Sequence, residues 1–168
     1  ISVSDAQLAW FSNLTATLPP VPTLAFYHIP MKEYLKALIS GKPISGRVRE
    51  VISADLPNPR MFEVLKAGGV VGGFCGHDHT NDFCAEYEGV QLCYAGSPGF
   101  GAYGSCTLGH FCYKRRLRVT ELSLTSDRSA LASIRTWKRL DAGGAVAGRV
   151  IDAEQLWPST SSITAAAP

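Results

Sequence analysis

Gly76-His77-Asp78-His79 sets two imidazoles two positions apart, and a third histidine, His28, stands immediately before Ile29-Pro30. Neutral imidazole is a common metal ligand. Presented from a turn rather than a strand, His77 and His79 can converge from one loop, and Gly76 is expected to let the backbone turn tightly just before them. His28 and His77 share a context: each closes a short apolar run, Leu24-Ala25-Phe26-Tyr27 in one case and Val71 to Gly76 in the other. Ligands of open α/β sheets gather at the carboxyl ends of strands, so two parallel strands ending in these histidines would bring both rings to one crevice. Taken alone, His28 reads as a core histidine, and solvent-facing turn residues are the lesser of two readings of His77 and His79. The matched contexts favour a metal site. His110, between Gly109 and Phe111 in a β-type run, reads as structural. A rival constellation is a structural zinc site of Cys75, His77, His79 and Cys84. Against it, Cys75 lies inside an apolar strand with no second cysteine at knuckle spacing and suits a core position better.

The elements that must carry these residues follow from periodicity and punctuation. Ser4-Asp5 opens a helix over Ser4 to Leu18, with Leu8, Phe11, Leu14 and Leu18 at helical spacing, and Pro19, Pro20 and Pro22 end it. Thr23 to His28 reads as a buried strand and Lys32 to Ile39 as a short helix. Gly41 to Arg60, with its prolines, glycines and mixed charge, reads as a surface loop of the kind that frames a site. Met61 to Ala67 is expected as a helix, with Pro59 near its start and Gly68-Gly69 at its end. Val70 to Cys75 is the next buried strand. From Phe83 onward the period becomes two, in runs Phe83 to Tyr87, Val90 to Ala95, Cys106 to Tyr113, Leu117 to Leu124 and Ser133 to Leu140, an antiparallel region. Two parts are expected: residues 1–142 as the folded domain and 143–168 as a loosely ordered extension, poor in core residues.

Composition narrows the partners. The chain has 168 residues, 46% hydrophobic, enough for one core. A net charge of +2 without long charge runs gives no nucleic-acid footprint, and Lys114, Arg115, Arg116 and Arg118 read as the solvated start of a strand. No apolar stretch reaches the roughly 18 to 20 residues of a membrane span. The five cysteines are an odd set, compatible with reduced thiols or with one or two bridges, and Asn13-Leu14-Thr15 fits a glycosylation acceptor that also arises by chance. Localisation stays open.

Phe74 to Cys84, around the Gly-His-Asp-His run, resembles the last metal-binding motif of calcineurin-like metallophosphoesterases. The continuation Leu92 to Gly104 is similar to the purple acid phosphatase-like branch, of plant type 28 or 29 and its fungal and algal relatives. Tyr27-His28-Ile29-Pro30 resembles the preceding metal motif, Asn58 to Leu65 the helix leading into the histidine strand, and Arg118 to Leu122 and Thr136 to Leu140 the closing strands. In order and spacing the resemblance covers about residues 4 to 140. It implies an α/β fold: the C-terminal half of a phosphoesterase β-sandwich flanked by helices, with a mixed sheet that turns antiparallel toward the C-terminus. It implies a phosphate ester substrate and two divalent or trivalent ions, of iron, zinc or manganese. By the same likeness His28 and His77 would bind one ion and His79 the other. Asn81 and Asp82, just beyond, would either orient those ligands by hydrogen bonds or cap the turn. The family's earlier motifs, an Asp-x-His, a Gly-Asp-x-x-Asp and a Gly-Asn-His, are absent from these residues. With them go the bridging carboxylate and the histidine that protonates the leaving group, so no catalytic residue is assigned within the chain. An N-terminal half of the same domain is the expected partner, and the chain alone is expected to be a poor catalyst. The rivals are a non-catalytic module that binds through open sheet edges, and the structural zinc module.

Overall fold

The computed structural model describes residues 3–54, 60–101, 103–104, 114–141 and 150–158. It divides into two compact units, residues 1–94 and 95–168. The first is built on a mixed five-stranded sheet in the order β1-β3-β5-β4-β2: β1 (Thr23–Phe26), β2 (Ile44–Ser45), β3 (Val70–Cys75), β4 (Cys84–Tyr87) and β5 (Val90–Tyr94). β1, β3 and β5 run parallel, while β4 and β2 run antiparallel to their neighbours. Helices α1 (Asp5–Thr17), α2 (Glu33–Ile39) and α3 (Met61–Ala67) complete the unit. The fold is therefore α/β, with a mixed sheet that becomes antiparallel toward the C-terminus.

Local chemistry sets the element ends. Ser4 caps α1 in a capping box: its hydroxyl accepts from the Gln7 amide, and the Gln7 side chain accepts from the Ser4 amide. α3 stops at Gly68, where an added methyl would meet the Phe11 ring at 2.4 Å, so the glycine is what lets α1 close over the end of α3. The expected apolar stripe of α1 is only partly used. Leu8 is buried and Phe11 packs on the core, but Leu14, Leu18 and Trp10 face out. The core gathers Tyr34, Phe62, Phe83, Leu92 and Tyr94 between helices and sheet.

β4 and β5 form a hairpin through Glu88-Gly89, both at positive φ, as a two-residue turn requires. Its register places Cys84 opposite Cys93, with Cα atoms 4.1 Å apart, and the two form a disulfide. The neighbouring pair, Phe83 and Tyr94, carries the ladder hydrogen bond, so the cysteines occupy the closer, non-hydrogen-bonded position.

The second unit is an antiparallel sheet of β6 (Arg116–Leu124), β7 (Leu131–Leu140) and β8 (Val150–Trp157). β8 corrects the expectation of a loosely held end: within 143–168, Val150–Trp157 pairs along β7, and Asp152 and Glu154 make ion pairs with Lys138 and Arg118. The basic cluster is also corrected. Arg115 and Arg116 are buried, not solvated; Arg115 donates to the Ser97 hydroxyl and Arg116 to the Lys114 carbonyl. The run Cys106 to Tyr113, with His110, and the residues Asn58 and Pro59 lie outside the described residues.

Candidate metal centre

β1 and β3 lie side by side and parallel, with Phe26 opposite Phe74, and the chain continues from both in step. β1 ends two residues short of His28, yet pairing persists beyond it. The Tyr27 amide donates to the Phe74 carbonyl at 3.0 Å, and the Gly76 amide to the His28 carbonyl at 3.0 Å. That ladder holds His28 beside the start of the histidine loop. The rings of His28 and His77 meet edge to face, with centroids 5.3 Å apart. His28 is exposed and His77 half-buried, so the pair opens to solvent at the carboxyl end of the parallel strands.

The sharp turn falls on His77 rather than on Gly76. His77 has φ of 66°, and the Asp78 amide returns to the Gly76 carbonyl at 2.8 Å, closing a three-residue γ-turn of the strained, positive-φ kind. Gly76 itself is not in the left-handed region, and a methyl there would meet His28 Nδ1 at an ordinary 3.5 Å. A histidine in that region costs on the order of 1 kcal/mol or more and persists where its surroundings fix it.

Those surroundings are polar, and they come from the stretch read as a surface loop. Asp78 is 4% exposed, and its Oδ2 accepts from the Tyr94 hydroxyl at 2.5 Å and the Ser53 amide at 3.1 Å. Glu50 accepts from the Thr80 amide and hydroxyl. Asn81, fully buried, accepts from the Arg49 and Glu50 amides at 2.8 and 3.1 Å and donates to the Glu50 carbonyl at 3.1 Å. Asp82 accepts from the Arg47 amide at 2.7 Å and from the Arg49 guanidinium at 2.8 Å. Residues 47–53 are thus strapped along 78–82 over the carboxyl ends of the strands. Asn81 and Asp82 secure the strap through these contacts. Glu50 and Ser53 carry no motif in the sequence, and Asp78 and Tyr94, although they lie within stretches of family resemblance, are given no role there. The one available signal was the density of short polar side chains from Asp78 to Asp82.

Tyrosines line the sheet beneath. Tyr34 donates to the Gly73 and Cys93 carbonyls at 3.2 Å, and its hydroxyl lies 3.0 Å from that of Tyr27. Burial pushes the phenols of Tyr27, Tyr34 and Tyr94 up, so all three remain protonated donors near neutrality.

His79 lies beyond Asp78, half-buried, and does not join the His28–His77 pair in a cluster: among the described residues no three His, Cys, Asp or Glu side chains form a group able to hold a metal ion. The donor set fits part of a centre: two adjacent imidazoles suit iron or zinc, while manganese would need oxygen donors, and further ligands would have to come from elsewhere. The structural zinc module is overturned. Cys84 is bonded to Cys93 and cannot offer a thiolate, and Cys75 is 1% exposed within β3.

No protein-family model matches the chain. It is 40% identical over 146 residues to an Arabidopsis thaliana protein named probable inactive purple acid phosphatase 29, covering 84% of this chain and 35% of that one. To the protein named probable inactive purple acid phosphatase 28, of the same plant, it is 34% identical over 171 residues, covering 95% and 40%. A Saccharomyces cerevisiae protein named as a phosphatase is 33% identical over 130 residues, covering 71% of this chain and 21% of its own length. The chain spans about a third of the length of the plant relatives it matches.

Proposed function

The chain is a purple acid phosphatase-like phosphoesterase sequence, and on that premise we propose that it contributes His28 and His77 to one metal ion, and His79 to a second, in the phosphate-ester hydrolysis site of a longer protein. The observation that carries this reading is the edge-to-face pair of His28 and His77, 5.3 Å apart at the ends of adjacent parallel strands. His28, His77 and His79 would hold the ions, which would supply Lewis-acid chemistry there, making water more acidic and polarising a phosphate ester. The chain's own work is positional: the β1–β3 ladder holds His28, and the γ-turn and the strap hold His77 and His79. The bridging carboxylate, the remaining ligands and the acid that protonates the leaving group are assigned to the rest of that longer protein, because the chain supplies two imidazoles to one ion and one to the other, and neither coordination sphere closes.

The test is metal analysis of the full-length protein together with turnover of p-nitrophenyl phosphate, with His77→Ala as the control. We expect bound iron, zinc or manganese and turnover that collapses in the variant; undiminished activity in His77→Ala sinks the assignment. One observation favours a second reading, a non-catalytic domain that uses the same scaffold for binding: the plant relatives carry the words "probable inactive" in their names. It expects no turnover by the full-length protein with any of the three metals.

A further inference from the structure

Among the charged side chains of the histidine loop, Asp78 is the one with no part in the metal reading, although it stands between two proposed ligands. Its carboxylate is nonetheless taken almost wholly out of water, at 4% exposure. Burying a carboxylate is costly unless it is hydrogen-bonded, and here both donors converge on one oxygen: the Tyr94 hydroxyl at 2.5 Å and the Ser53 amide at 3.1 Å both reach Oδ2. Tyr94 is itself fully buried on β5, and Ser53 belongs to the strap, so Asp78 ties the loop both to the sheet and to the segment that crosses it. The Asp78 amide meanwhile closes the turn whose centre, His77, stands at φ of 66°. One residue thus fixes the loop through its side chain and the strained backbone of His77 through its main chain.

We propose that Asp78 is a positioning residue: held by Tyr94 and Ser53, it keeps the γ-turn at His77 closed and so sets the approach of the His77 ring to His28. The proposal rests on the metal role assigned to His77 above. Because both donors meet the same oxygen, the amide of Asp78→Asn can place its carbonyl oxygen where Oδ2 stands and keep both bonds. Asp78→Ala loses both, and Tyr94→Phe loses one, together with the hydroxyl's contact with Asn81, while keeping the ring packed.

The experiment uses the full-length protein stripped of metal by chelator and titrated with zinc, alongside amide exchange at Asp78 in the metal-free state. Partners that orient a metal-binding histidine change affinity by roughly 10- to 100-fold when removed. Asp78→Ala and Tyr94→Phe are therefore expected to bind zinc about 10- to 100-fold more weakly and to exchange the Asp78 amide faster. Asp78→Asn is expected to stay within about threefold of wild type. Val70→Ala, a truncation of a buried β3 side chain away from the turn, lowers stability without changing zinc affinity if the effect is one of position. Wild-type affinity in both Asp78→Ala and Tyr94→Phe, or an equal loss in Val70→Ala, overturns the proposal. A loss in Asp78→Asn as large as in Asp78→Ala assigns the effect to charge and overturns it too. His77→Ala separates the two levels: if that variant binds zinc like wild type, the metal reading itself has failed, whereas weakened His77→Ala beside unaffected Asp78 and Tyr94 variants removes the positioning role alone.

Discussion

Asn81 offers the sharpest test of how the histidine loop is held. Its side chain is fully buried and makes three hydrogen bonds to the strap, two accepted from the Arg49 and Glu50 amides and one donated to the Glu50 carbonyl. Replacing it by alanine removes all three and leaves two amides and a carbonyl without that partner. At about 1 kcal/mol net per bond the loss comes to about 3 kcal/mol, with any cavity adding to it. Two assays read this. Urea denaturation of Asn81→Ala should show the fall in global stability. Hydrogen exchange should show the Arg49 and Glu50 amides opening about 100-fold faster, the equivalent of about 3 kcal/mol at 1.4 kcal/mol per tenfold. Asn81→Asp keeps both acceptor bonds but sets a charged oxygen against the Glu50 carbonyl in a fully buried place, so near neutrality it should be at least as destabilising as the alanine variant. A loss below about 1 kcal/mol in Asn81→Ala, with unchanged exchange at Arg49 and Glu50, would refute the reasoning, because bonds of this kind are worth about that much singly.

Three further outcomes follow from the same unit. The Cys84–Cys93 bridge closes a loop with a sequence separation of 9, for which loop-closure entropy gives about 2.6 kcal/mol, so Cys84→Ala/Cys93→Ala should lose about that much in denaturation. Cleavage after Glu86 or Glu88 without reductant should yield peptides still joined through the two cysteines, and separate peptides would disprove the bridge. Gly73→Ala would set a methyl 2.5 Å from the Tyr27 hydroxyl, which is held against Tyr34, so a loss of about 1 to 3 kcal/mol in thermal or chemical denaturation is expected. The phenols of Tyr27, Tyr34 and Tyr94 are raised, chiefly by burial; a group that holds its proton more tightly when folded contributes stability fully below its unfolded pKa, and that contribution is lost as pH rises past about 10. Their ultraviolet ionisation should therefore coincide with alkaline unfolding, and a smooth titration of all three in folded protein would contradict their placement.

What the sequence made legible was local. α3 and β3 fall where the glycines and the apolar run place them, and the two runs ending in His28 and His77 do become adjacent parallel strands, but only β3 is buried: β1, expected to be buried as well, is half-exposed and ends on an exposed Phe26. The disulfide was half-legible. Glu88-Gly89 is a two-residue turn, and counting outward from Tyr87 and Val90 puts Cys84 opposite Cys93, but that requires the hairpin register before the pairing. The strap was not legible at all. Residues 47–53 have no periodicity of their own and take their course from side chains 25 to 35 positions away, Asp78 to Ser53 and Asp82 to Arg47. β8 was missed for a related reason: its acidic residues look like those of a solvated tail until Lys138 and Arg118 are seen beside them in β7 and β6. The same division runs through the candidate site. The residues with motif character, His28, His77 and His79, are the ones a sequence exposes, whereas the groups that hold His77 in a conformation it would otherwise avoid are a buried aspartate, a tyrosine from β5 and a backbone amide of the strap. A metal-binding histidine held at positive φ needs such support. Removing that support while leaving all three histidines in place therefore tests the positioning alone, and removing His77 itself is the change that separates a site built for metal from a turn that happens to contain imidazoles.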